Sequence, residues 1–175
     1  HPLLDRHGDG FGLTTYEQCW RDGEGLTVKC LPSASCMTVD ASLRSEPLWE
    51  ELVSLVRDMA YLHDDVELFT LASGRQSPHF FDMKPLMMHP RGSLVLAELI
   101  GRRLDVLDPD LVGGLELGAV PLTAIAITGN AANGSRRQGF MVRKQAKGRG
   151  GRKTDNPPGI EGTSLMNGGR VVVLE

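Results

Sequence analysis

The chain has 175 residues and a formal net charge of −3, with 41% hydrophobic and 23% charged residues. That is enough for one domain with its own core, and the composition is that of a globular protein. The acidic balance argues against general nucleic-acid or anionic-membrane binding, and no apolar run is long enough to span a bilayer.

Residues 1–36 scatter Gly, Pro and the cysteines Cys19, Cys30 and Cys36 among charges, without sustained periodicity. The cysteine spacing matches no metal motif, and an odd count does not make a disulfide framework. The chain starts at His1, and Met37 reads as a natural start. Residues 1–36 are therefore expected to be a disordered leader or translated upstream sequence, with residues 37–175 as the domain. The plainer alternative is a small extension packed on the core.

Beyond Met37 the pattern is orderly. Leu48, Leu52, Leu55, Val56 and Met59 share one helical face, with Ser45 placed to cap and Pro47 in the first turn. "VELFTLASGRQSPHFFDM" predicts two short strands around a Ser-Gly-Arg turn. Pro90 opens a second helix whose apolar face is Val95, Leu96, Leu99, Ile100 and Leu104. "DLVGGLEL" reads as a buried strand, "AVPLTAIAITGNAA" as a helix of small residues, and "GFMVRK" as another strand. Residues 144–168 read as one long polar loop, and "GRVVVLE" as a strand apolar on both faces, as in a parallel sheet. This succession predicts an α/β fold, with sites beyond the C-terminal ends of the strands.

Three stretches carry chemistry. In "GFMVRKQAKGRGGRKT" six of the 19 basic residues fall between Arg143 and Lys153, so the remaining 13 face 22 acidic ones elsewhere. A charge run is commonly a solvated face. This one directly follows a buried strand in a Gly-rich loop of a length usually reserved for lids or disorder. "GGLELGAVPL" offers a glycine turn and a helix N-terminus, a ready anion site, although ordinary strand-to-helix turns look alike. In "FTLASGRQSPHFFDMK", Arg75 is a candidate anion contact and His79 a candidate base. Phe80 and Phe81 are candidates to stack on a planar ring, with alternation sending only one of them to a given face. A plain hairpin with core aromatics is the simpler reading.

Together "FTLASGRQSPHFFDMK", "GGLELGAVPL", "GFMVRKQAKGRGG", "IEG" and "GGRVVVLE" stand in the order and spacing of the orotate phosphoribosyltransferases. The resemblance covers roughly residues 45–175. It implies a type I phosphoribosyltransferase-like parallel sheet flanked by helices. The implied reaction joins orotate to 5-phosphoribosyl 1-diphosphate with Mg²⁺, giving orotidine 5′-monophosphate and diphosphate in pyrimidine synthesis. It also implies a cytoplasmic homodimer whose basic loop acts in the neighbouring subunit.

By motif match, Arg143, Lys144, Lys147 and Arg149 contact the diphosphate, with Lys144, Lys147 and Arg149 as the catalytic candidates. Leu117 and Gly118 form the turn beneath the diphosphate, Phe80 and Phe81 lie against orotate, and Glu175 contacts the ribose hydroxyls or a metal shell. No metal ligand is assigned.

The match has departures. Arg149 stands where the family usually has histidine, and arginine can hardly donate a proton. Ala72 replaces a lysine that some relatives carry. "RKTDNPPG" lengthens the loop. The chain stops at Glu175, before the family's ribose-phosphate loop, so the sheet is expected to be incomplete and the chain inactive alone. The alternatives are a phosphoribosyltransferase for another base and a non-catalytic sensor of phosphoribosyl diphosphate.

Overall fold

A computed structural model describes residues 14–20, 26–30, 47–71, 73–132, 134–145, 154–165 and 168–174. The elements are β1 (Thr14–Trp20), β2 (Leu26–Cys30), α1 (Pro47–Met59), β3 (Tyr61–His63), β4 (Phe69–Thr70), β5 (Gln76–Ser77) and β6 (His79–Phe81). They continue with α2 (Lys84–Met87), α3 (Pro90–Leu107), β7 (Leu111–Leu115), α4 (Ala119–Ala132), β8 (Gln138–Val142), β9 (Ile160–Gly162) and β10 (Gly169–Val173).

The main sheet runs β2-β1-β10-β7-β8-β9. Its centre, β10-β7-β8, is parallel, as the doubly apolar strands predict, with Val172 paired to Val112 and Gly113 to Phe140. Both flanks are antiparallel, so the sheet is mixed rather than wholly parallel. Two segments depart from the sequence reading. The stretch read as one loop, 144–168, contains β9, which pairs back on β8 with Met141 opposite Glu161. The expected leader contributes β1 and β2, with Tyr16 opposite Val171 along β10. Both departures depend on pairing partners remote in sequence, which local periodicity does not report. The Ser45 cap lies outside the described residues.

Each face of the central strands meets a different cover. Val112, Val172 and Leu174 join Leu96, Leu104, Leu122 and Ala126 in a core under the helices. Burying each of these three side chains contributes about 1.5–3 kcal/mol. On the opposite face Leu111, Phe140 and Val171 pack with Leu165 of the segment entering β10. Asn156 pins that segment, donating from Nδ2 to the Thr163 carbonyl (2.9 Å) and accepting from the Leu165 N–H (2.7 Å).

Close packing of α4 needs small residues. A Cβ at Gly114 would lie 2.1 Å from the Leu174 carbonyl oxygen and 2.7 Å from the Ala119 Cβ. One at Gly129 would lie 2.6 Å from the Ala97 Cβ of α3. The helix α3 starts as predicted at Pro90, behind His89, whose Nδ1 accepts the Gly92 N–H. It buries Val95, Leu96, Leu99 and Leu104 and ends at Asp108 in the left-handed region, φ 45°. α1 lays Leu52, Leu55, Val56 and Met59 on the core edge. It is tied to α3 by Arg91 donating to both Glu51 oxygens at 2.6 and 2.7 Å. Among the described residues, no helix is long and apolar enough to cross a membrane.

Candidate functional site

The parallel strands β7 and β8 end side by side, and the chain leaves both at the same rim. After β7 comes the turn Glu116-Leu117-Gly118, with the Glu116–Leu117 peptide cis, and then α4. The Glu116 N–H donates to the Val142 carbonyl of β8 at 2.8 Å. This places the turn against the neighbouring strand. Leu117 is 68% exposed, and a Cβ at Gly118 would meet nothing within 4 Å. Among the described residues the turn is uncovered, at the N-terminus of a 14-residue helix, where free N–H groups and the helix dipole favour an anion.

The basic segment starts at the same place. Arg143 follows β8, and its N–H donates to the Gly159 carbonyl at 2.7 Å, closing the two arms of the loop at their base. The Lys144 N–H donates to Glu116 Oε1 at 2.9 Å, joining that base to the turn after β7. The Lys144 residue is exposed.

The Arg143 guanidinium turns toward two acids. Nη1 donates to Glu161 Oε1 of β9 at 3.1 Å, and Nε stands 3.8 Å from Glu116 Oε2. That Nε is buried and has no hydrogen-bond acceptor in reach among the described residues.

The structure thus brings Leu117, Gly118, Arg143 and Lys144 together at one rim. Lys147, Arg149 and Glu175 lie outside the described residues. Phe80 and Phe81 stand on a separate two-stranded ladder, β3–β6, where Tyr61 opposes Phe81 and Leu62 opposes Phe80. Phe80 stacks on Phe69 with ring centres 5.6 Å apart, and Phe81, 55% exposed, leans on Tyr61 at 5.1 Å. Adjacent strand residues face opposite sides, so the two phenylalanines do not form one platform. His79 Nδ1 is hydrogen-bonded to the Tyr61 hydroxyl at 2.7 Å. The predicted hairpin is present, Phe69 opposite Ser77, with Gly74 at φ 81° and Arg75 exposed.

Two residues at the rim escaped the sequence reading: Glu116 and Glu161. Glu116 left one signal. It is the only charged residue between Asp110 and Arg136, and an acid at the end of a buried apolar strand rarely stands there for packing. Glu161 left none. Among the described residues no group of three or more His, Cys, Asp or Glu side chains could hold a metal. Mg²⁺ carried on a diphosphate needs only one or two protein carboxylates. Glu116 and Glu161 give the described part of the rim two carboxylates.

Comparison with known proteins gives a consistent answer. No protein-family model matches the chain. The orotate phosphoribosyltransferase of Rhodopseudomonas palustris (strain BisB18) is 36% identical over 124 residues, which is 71% of this chain and 64% of the relative. That of Corynebacterium glutamicum (strain R) is 36% identical over 116 residues, 66% of this chain and 60% of the relative. Among solved structures, the Mycobacterium tuberculosis H37Rv orotate phosphoribosyltransferase in complex with Fe(III) dicitrate superposes with a TM-score of 0.54 and 31% identity. That superposition covers 70% of this chain and 63% of the other. The chain thus spans somewhat less than two thirds of the length of the relatives it matches.

Proposed function

The chain is a relative of the orotate phosphoribosyltransferases, and from that premise we propose that it forms the diphosphate-gripping part of an enzyme of that activity. The reaction is transfer of phosphoribosyl from 5-phosphoribosyl 1-diphosphate to orotate, in pyrimidine synthesis. The observation that carries this reading is the junction at the rim. An exposed glycine turn before α4 and the root of a six-cation segment are joined by the 2.9 Å bond from the Lys144 N–H to Glu116.

Breaking the bond at the ribose anomeric carbon leaves positive charge on the sugar and adds negative charge to the departing diphosphate. Donors fixed at the leaving group stabilise that change. The turn at Leu117–Gly118 and the start of α4 supply N–H groups, while Arg143, Lys144, Lys147 and Arg149 supply cations. Arg149 serves as a cation only, because arginine keeps its proton. Mg²⁺ accompanies the diphosphate and neutralises part of its charge.

A Gly-rich basic loop suits a lid that closes to exclude water and reopens for release. In this reading the protein is a cytoplasmic homodimer whose loop reaches the partner's site. Phe81, exposed on its strand, is the better placed of the two phenylalanines to meet a base, and Glu175 meets the ribose.

The test is diphosphate release by the full-length protein supplied with phosphoribosyl diphosphate, Mg²⁺ and, in turn, orotate, uracil and purine bases. Release with orotate alone is the expected result. Release with another base in preference to orotate reassigns the substrate, and release with none removes the reading.

A further inference from the structure

The least expected feature of the rim is that its first cation is already occupied. Two carboxylates, Glu116 and Glu161, face one guanidinium, and the three side chains are all about one-third exposed. Pairs so placed add little to stability, because solvent screens them and long side chains lose entropy. Stability is therefore a poor reason for an acid at 116, and the geometry suggests another. Glu116 uses its two oxygens differently: Oε1 accepts the Lys144 N–H at 2.9 Å, while Oε2 lies 3.8 Å from Arg143 Nε without a hydrogen bond. The first contact is directional. The second is only electrostatic, and among the described residues nothing else claims the buried Nε proton.

We propose that Glu116 is a positioning residue with two separable jobs. One oxygen anchors the backbone of Lys144 to the turn after β7. The charge on the other, together with Glu161, engages Arg143 until a diphosphate takes over that cation. This rests on the functional reading above and extends it, because it names what holds the grip in place. A polyanion arriving at Leu117–Gly118 competes with two carboxylates for Arg143. The exchange keeps the cation from being left bare. The anchored Lys144 stays in place while Arg143 changes partner.

The two jobs come apart in two variants of the full-length protein. Glu116→Gln keeps a carbonyl acceptor for Lys144 and removes the competing charge. It should bind inorganic diphosphate about three- to tenfold tighter, and it should lose less kcat than Glu116→Ala. Glu116→Ala removes both jobs. It should lower kcat by about tenfold or more, since a misplaced cation is lost from the transition state, and it should expose the Lys144 amide to fast hydrogen exchange. That amide stays protected in Glu116→Gln.

Diphosphate affinity in Glu116→Gln equal to or weaker than in the unaltered protein overturns the competition. A protected Lys144 amide in Glu116→Ala overturns the anchor, and so does equal loss of kcat in both variants. Titration with diphosphate and amide exchange do not depend on orotate. If orotate turnover is absent from the unaltered protein, the functional reading fails while both measurements still judge this one.

Discussion

The two ends of the central strands both carry arginine–carboxylate clusters, yet they are built to different standards. At the entry end, Arg137 Nη1 bonds Asp105 at 2.7 Å, Arg170 Nη2 bonds Asp108 at 2.6 Å, and the Arg170 N–H bonds Asp110 at 2.8 Å. These three contacts are short, Arg137 Nη2 stands 3.8 Å from Asp108, and together they tie the end of α3 to the starts of β7, β8 and β10. At the exit end, Arg143 holds its acids at 3.1 and 3.8 Å, and one buried N–H finds no acceptor among the described residues. The same residue types make a closed clamp at one end and an open one at the other. A clamp meant only to hold the sheet gains from being saturated. One meant to release its cation to an incoming anion gains from being loose.

Substitutions that separate function from stability sharpen this contrast. The largest effect is expected at the exit end, where Lys144→Ala should cut kcat/KM by about a hundredfold while the melting temperature barely moves. Steady-state kinetics beside a thermal melt checks both halves, and a large loss of stability would place Lys144 in the clamp class. Between the two ends, Gly114→Ala should destabilise by about 1–3 kcal/mol, because the added Cβ would fall on the Leu174 carbonyl. Denaturant titration measures it. At the entry end, Arg137→Ala should cost about 1 kcal/mol and leave kcat/KM within about twofold. A kinetic defect there that exceeds the stability defect would erase the distinction between the ends.

The sequence revealed these regions unequally. α3 was legible residue by residue, since Val95, Leu96, Leu99 and Leu104 recur at helical spacing and all four are buried. β7 and β10 were legible as apolar runs that only a strand covered on both faces tolerates. β9 was not, because three residues such as Ile160–Gly162 hold no period, and their place comes from pairing with β8 across an intervening loop. β1 finds its partner, β10, at the far end of the chain, a contact no local pattern encodes.

At the rim, Arg143 and Lys144 announced themselves through charge density. Glu116 and Glu161 lie 45 residues apart in sequence and acquire meaning only when β7, β8 and β9 align. The phenylalanine pair is the instructive middle case. Its alternation already denied a shared face, and the register of Tyr61 with Phe81 shows the two rings in different company.

The smallest predicted effect concerns a third ion pair, outside both ends, and it asks whether short contacts alone make a clamp. Arg91 grips Glu51 as tightly as any pair in the entry cluster, but the pair is solvent-exposed and joins two helices, not strands. The Arg91 hydrogen bond holds the Glu51 carboxyl below its ordinary range. A carboxyl whose pKa is lower folded than unfolded adds stability above its unfolded value. It loses that contribution as the pH falls through the folded one. Melting temperature should therefore be flat from neutral pH down to the ordinary carboxylate range and decline below it. Asp82, held down by Lys84, and Asp64, held down by the N–H groups of Glu67 and Val66, should contribute to the same decline. In Arg91→Gln the decline should be slightly shallower, with the melting temperature at neutral pH nearly unchanged, because an exposed pair is screened even when its geometry is good. A marked drop at neutral pH would show that short bidentate contact is sufficient for a clamp without burial. The looseness of Arg143 would then be the more telling feature of the exit end.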